Sequence, residues 1–142
     1  MTVAHDQWAG GSSTEQLAPV LQAAHVAWLH EAEGFLSPLI GREAPFWDRW
    51  VATRYLADQF AAHFRRECAL VDELRPFLES AAAERVIEQS QRIGGLLEAF
   101  DQQGRRRGTG RTVGVIAGQL LDALRSWCTD VETTAGKVDE PG

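Results

Sequence analysis

The pattern that decides the fold lies in residues 56–78, which read LADQFAAHFRRECALVDELRPFL. Six positions in this segment are spaced alternately by four and three residues: Leu56, Phe60, His63, Glu67, Leu70 and Leu74. That spacing places the six side chains on one face of an α-helix. His63 and Glu67 stand one turn apart where leucine would be expected. The segment therefore predicts a helix that carries two polar side chains toward the interior.

The same periodicity extends along most of the chain and predicts four helices. These cover about residues 14–35, 45–74, 81–102 and 112–134. The inner positions of the other three helices are Leu17, Leu21, His25, Trp28, Ala32 and Phe35, then Val86, Ser90, Ile93, Leu97 and Phe100, then Val113, Ile116, Leu120, Leu124, Trp127 and Val131. No alternation typical of strands occurs. Because the links are mostly short, we predict an all-α fold, an antiparallel up-down-up-down four-helix bundle.

Length and composition indicate one domain with short tails. The chain has 142 residues and a net charge of −6, and its length is typical of a single domain. We predict an N-terminal tail over residues 1–13, the bundle over residues 14–136 and a C-terminal tail over residues 137–142. Two cysteines do not make a disulfide scaffold.

The same composition excludes several kinds of partner. The acidic balance argues against nucleic-acid binding, and no apolar run approaches the roughly 20 residues needed to cross a bilayer. No leader peptide is evident, so we expect a cytoplasmic protein. Lys137 is the only lysine beside thirteen arginines, which is typical of a bacterial genome of high GC content.

The polar residues on the inner faces are the main candidates for a site. His63 and Glu67 can aim at one point between helices, and His25 interrupts the first helix at a level where it can meet His63. Neutral imidazoles and carboxylates that converge inside a bundle are typical of a metal site. A buried carboxylate such as Glu67 needs a cation, an arginine or a proton. A hydrogen-bonded core histidine, or a pair on an exposed helix face, remains the alternative.

These residues resemble the hemerythrin-like (HHE cation-binding) family, whose members are four-helix bundles with a non-haem di-iron site in the core. The His63-x-x-x-Glu67 element is similar to the motif of the family's second helix. The first-helix segment LQAAHVAWLHEAEGFL places His25 where the family has its first-helix histidine. The resemblance covers about residues 15–135. It implies the same bundle and a metal site in its core.

The third and fourth helices depart from the family pattern. In IEQSQRIGGLLEAF, Ser90 stands where the family has histidine, and in LLDALRSWCTDVE, Trp127 does. Glu132, five residues after Trp127, still matches the carboxylate of the family's fourth helix. An indole on the inner face takes the volume that two metals and bound oxygen require. We therefore predict that the two-metal site is absent and that the indole N–H bonds to Glu67, Glu132 or Ser90.

The resemblance then implies a reduced ligand set, namely His25, His63, Glu67 and Glu132. Such a set suits one non-haem metal ion, either Fe, Zn or Mn. The other reading is a descendant that has lost its metal and kept the scaffold for sensing or regulation. We expect no enzymatic activity in either case, because no nucleophile with an ordered base can be identified.

Two further readings do not involve a metal. Phe46, Trp47 and Trp50 at the start of the second helix either plug the end of the core or form a contact with a second copy or another protein. The Arg105, Arg106 and Arg107 run can bind an anion at the start of the fourth helix, although a solvated loop has the same composition. A cavity around Ser90 and Gly94 would instead indicate a small-molecule binder.

Overall fold

The computed structural model describes residues 16–105 and 110–140. In these residues the chain forms four helices and no strand, which confirms the all-α prediction. The first helix spans Leu17–Leu36, the third Ser80–Arg105 and the fourth Gly110–Asp139. Nowhere in the described segments is a helix both long and apolar enough to cross a bilayer.

The second helix is continuous but not uniform. It consists of an α-helical part at Phe46–Tyr55, a π-helical turn at Leu56–Phe60 and a second α-helical part at Ala61–Leu74. A 3₁₀ turn at Arg75–Phe77 follows, with proline near its start. A π turn contains more residues than an α turn. The residues that follow it are therefore rotated relative to a regular helix.

This rotation corrects the inner face predicted for the second helix. After Phe60, the buried positions are Phe64, Glu67, Val71 and Leu74. The structure places His63 and Leu70 at the half-buried edge of that face. The predicted spacing assumed an uninterrupted α-helix, and the additional residue of the π turn moves Phe64 and Val71 into the core instead.

The fourth helix lies at the centre of the core and packs against the first and third helices. All six of its predicted inner positions are buried. The predicted faces of the first and third helices are also largely buried; the positions of intermediate exposure are Leu17, Phe35, Ser90 and Leu97. The largest fully buried side chains include Trp127, Phe60 and Phe100. Burying a large apolar side chain contributes about 1.5–3 kcal/mol, so these rings are major sources of stability.

The last turn of the fourth helix holds the first turn of the first helix. The Asp139 carboxylate accepts hydrogen bonds from the backbone N–H groups of Leu17 and Ala18, with N···O distances of 3.0 and 2.8 Å. A carboxylate at this point satisfies donors that a helix start leaves unpaired and complements the helix dipole. The helix thus continues three residues into the C-terminal tail predicted at residues 137–142, whereas the tail predicted at residues 1–13 lies outside the described residues.

The link between the first and second helices covers the start of the fourth helix. The backbone N–H of Gly110 donates to the Glu43 carboxylate. Gly114 lies so close to this link that a Cβ atom there would overlap the carbonyl oxygen of Leu39. The missing side chain of Gly114 therefore permits the close approach of the two segments.

Candidate functional site

A cluster of polar side chains lies in the middle of the helical core. His25 projects from the first helix and Glu67 from the second, and both are buried. Trp127 and Glu132 reach the same point from the fourth helix. The structure therefore brings together three of the four predicted metal ligands, and Trp127 contacts one of them.

His25 lies between two carboxylates. Its Nδ1 is 2.7 Å from Oε2 of Glu132, and its Nε2 is 2.8 Å from Oε1 of Glu67. An imidazole can donate from both nitrogens only when it carries two protons and a positive charge. Burial alone lowers the pKa of His25, but hydrogen bonds with Cys128 and Glu67 and the charge of Glu67 raise it to about 10. His25 is therefore a cation at neutral pH.

Trp127 completes the environment of Glu67. Its indole N–H donates to Oε1 of Glu67 at 3.0 Å, so Glu67 is the acceptor among the three that the sequence offered. The ring is fully buried and meets Phe64 edge-on, with 5.2 Å between ring centroids. The prediction that the indole fills the interior at this depth is confirmed.

His63 lies beside the cluster and not at its centre. Its ring stacks on Trp28, with 4.1 Å between centroids and 12° between planes. Its Nε2 is 3.9 Å from Oε2 of Glu67, which is longer than a hydrogen bond. Burial lowers the pKa of His63, so this imidazole is neutral at pH 7. The π turn explains the position, because it rotates His63 away from the axis of the bundle.

Ser90 does not join the cluster. Its hydroxyl donates to the carbonyl oxygen of Ile87 in its own helix at 2.7 Å. The preceding residue, Gln89, donates to Asp130 on the fourth helix at 2.5 Å. Ser90 is thus a small residue whose hydroxyl is bonded within the third helix.

Sequence reasoning missed Cys128, which contacts His25. The thiol is buried, and burial raises its pKa, so it is neutral at pH 7. Its spacing offered a signal, because Cys128 precedes Glu132 by four residues and therefore shares its helix face. Both cysteines are free.

The position of His25 does not fit a metal ligand. A ligating imidazole must present a nitrogen lone pair, whereas both nitrogens of His25 face carboxylate oxygens. The Oε1 atom of Glu67 already accepts from His25 and Trp127. Within residues 16–105 and 110–140, no group of three His, Cys, Asp or Glu side chains is placed to hold a metal. The geometry is that of a hydrogen-bonded ion cluster.

Two other predicted sites are the arginine run before the fourth helix and the cavity near Gly94. Arg106 and Arg107 lie outside the described residues, and the backbone of Arg105 ends the third helix. At the start of the fourth helix, the N–H of Gly110 is bonded to a carboxylate, which leaves it unable to bind an anion. Gly94 is exposed and faces open space, so it lines no enclosed cavity.

The aromatic residues at the start of the second helix are exposed and do not plug the core. Phe46, Trp47 and Trp50 expose 63, 66 and 46% of their surface. The rings of Trp47 and Trp50 stack with 5.3 Å between centroids, and the Arg49 guanidinium lies 5.9 Å from the centroid of Phe46. We refer to Phe46, Trp47 and Trp50 as the aromatic surface.

Comparison with known proteins gives no match, whether with protein families, with curated proteins or with solved structures.

Proposed function

We propose that this chain is a hemerythrin-like protein that binds no metal, catalyses no reaction and acts as an interaction module for other proteins. The observation that carries the proposal is the position of His25 between Glu67 and Glu132. The cation that a buried carboxylate requires is supplied there by the protein itself. The ancestral centre then serves stability, and function moves to the surface.

The proposal includes the up-down-up-down topology of the hemerythrin-like family. Two contacts support it. Asp139 at the end of the fourth helix bonds the start of the first helix, and Glu43 before the second helix bonds the start of the fourth. When successive helices run in opposite directions, the starts of the second and fourth helices lie at the same end of the bundle, and the end of the fourth helix lies beside the start of the first.

The indole of Trp127 supports the loss of a metal centre. A di-iron site needs space between the helices and several imidazoles, whereas here a fully buried ring occupies the interior and donates to Glu67 at 3.0 Å. An indole offers a hydrogen-bond donor and no metal ligand. A metal that used Oε1 of Glu67 would have to displace both His25 and Trp127 from that atom.

Metal analysis tests the first half of the proposal. Purified protein is incubated with Fe(II), Zn(II) or Mn(II) without oxygen, desalted and analysed for metal. We expect far less than one ion per chain and no rise in thermal stability, because a ligand that binds only the native state must raise it. One ion per chain that is lost in His63→Ala would overturn the proposal and establish the mononuclear site. His30→Ala, an exposed histidine on the first helix, is the matched control.

The aromatic surface supports the second half. Contiguous exposed apolar side chains of this kind mark interaction sites, and tryptophan is enriched among the residues that dominate binding energy. Of the two stacked indoles, Trp47 exposes 66% and Trp50 46% of its surface. Substituting Trp47 and Trp50 with serine is expected to abolish partner binding while leaving helix content unchanged. A double variant that binds every partner as tightly as the wild type would contradict the interaction function.

A further inference from the structure

A shallow groove runs beside the aromatic surface, between the end of the first helix and the second helix. Its volume is about 250 Å³, and the rings of Phe35, Trp50 and Tyr55 line it. Phe35 and Tyr55 stack with 4.1 Å between centroids and 8° between planes. Trp47 extends the wall by stacking on Trp50. The groove thus offers the exposed indole of Trp50 and the half-buried ring of Phe35, while the ring of Tyr55 behind them is buried.

The size of the aromatic surface argues against a second copy of the chain as the occupant. A buried aromatic side chain covers about 150–250 Å², so the exposed parts of Phe46, Trp47 and Trp50 amount to roughly 250–450 Å². A stable dimer buries about 800 Å² on each partner. The surface is large enough for a short segment of a partner and too small, by itself, for a permanent dimer. The net charge of −6 adds repulsion between copies.

The charges at the groove argue for an uncharged occupant. Arg54 and Asp58 on its rim form an ion pair with each other at 3.3 Å. Arg49 lies over the ring of Phe46. The rim therefore offers little net charge to select an acidic or a basic ligand, and recognition depends on ring faces and hydrogen bonds.

We propose that this groove binds a proline-rich segment of a partner protein in the extended polyproline II conformation. The inference rests on the proposed interaction function and names the chemistry of the partner. Such a segment has no internal hydrogen bonds and presents pyrrolidine rings that pack flat against aromatic side chains. It also loses little conformational entropy on binding, which compensates for the small contact area.

The groove carries donors that suit this ligand. Carbonyl oxygens of a polyproline II helix are free to accept hydrogen bonds, because the helix uses none of them internally. The indole of Trp50 and the exposed side-chain amide of Gln59 line the groove and bear N–H groups. An amphipathic helix satisfies its own carbonyls and would make no use of these donors.

The test uses isothermal titration calorimetry with the full chain and three probe peptides. These are a ten-residue proline peptide, a glycine-serine peptide of the same length and an amphipathic leucine-lysine helix. We expect the chain to bind the proline peptide weakly and the other two peptides not at all. Trp50→Ser is expected to weaken it at least tenfold, whereas Phe77→Ser, at another exposed phenylalanine after the second helix, leaves it unchanged. Far-UV circular dichroism verifies that both variants are folded.

Three outcomes would overturn the inference. One is no binding of the proline peptide by the wild-type chain, and another is equal binding by Trp50→Ser. The third is a different occupant, shown either by preferential binding of the helical peptide or by a wild-type dimer in analytical sedimentation that Trp50→Ser does not form. This third outcome leaves the interaction function standing and changes only the occupant. Lack of any peptide binding combined with a strict monomer at all concentrations would count against both proposals.

Discussion

Replacing His25 with leucine tests whether the histidine is the cation that stabilises the buried carboxylate. The substitution keeps a similar volume and removes the bonds to Glu132 and Glu67, which are 2.7 and 2.8 Å long. Glu67 is fully buried, so it would then keep the hydrogen bond from the indole of Trp127 and the more distant His63. Breaking a buried ion pair by removing one member costs about 3–5 kcal/mol.

The cost is measurable against the stability of a domain of this size. Such domains have a free energy of unfolding of about 5–15 kcal/mol, so His25→Leu is expected to remove a large part of it. The corresponding fall in melting temperature is roughly 6–20 °C. Urea unfolding at pH 7, followed by far-UV circular dichroism, gives the free energy directly. His30→Leu is the matched control and is expected to lie within about 0.5 kcal/mol of the wild type, because His30 is exposed.

A second background separates lost charge pairing from lost packing. Glu67→Gln removes the buried negative charge, and its amide oxygen still accepts from Trp127. His25→Leu is therefore expected to cost less in the Glu67→Gln background than in the wild type, by more than about 1 kcal/mol of coupling. Equal costs of His25→Leu in both backgrounds, or a cost below about 1 kcal/mol in the wild type, would refute the assignment of His25 as the buried cation.

Three further predictions follow from the described contacts. The pKa of His25 is about 10 in the folded chain and 6.5 when unfolded, so its contribution to stability is complete below about pH 6.5 and is lost as pH rises through 10. Urea unfolding should show that the wild type and His25→Leu differ less in free energy of unfolding as pH rises over that range. Gly114→Ala is expected to destabilise the chain in thermal unfolding, since its Cβ would overlap a backbone oxygen, whereas Gly118→Ala meets open space and should raise stability by up to about 1 kcal/mol. Asp139→Ala removes the bonds to the first helix and should cost about 1 kcal/mol in urea unfolding, whereas Glu140→Ala should cost nothing measurable.

Periodicity predicted the helices well because burial of one face dominates helix stability in a protein. The fourth helix shows this most clearly, since every predicted inner position from Val113 to Val131 is buried. The second helix shows the limit. A π turn at Leu56–Phe60 has no sequence signal in a count based on 3.6 residues per turn, and it depends on the packing of neighbouring helices. One additional residue was enough to exchange His63 for Phe64 in the core.

The sequence predicted most members of the candidate site but not the charge of its histidine. Helical spacing identified His25 and Glu67 as inward-facing, and both are buried. The same residues can ligate a metal when the imidazole is neutral, or form an ion cluster when it is protonated. The choice depends on which atoms meet, and that is decided by Trp127 and Glu132 on a distant part of the chain. Because the imidazole shares one oxygen of Glu67 with the indole and lies between two carboxylates, a protonated His25 supplies the positive charge that buried Glu67 needs. Residues of the fourth helix thus set the role of a histidine on the first.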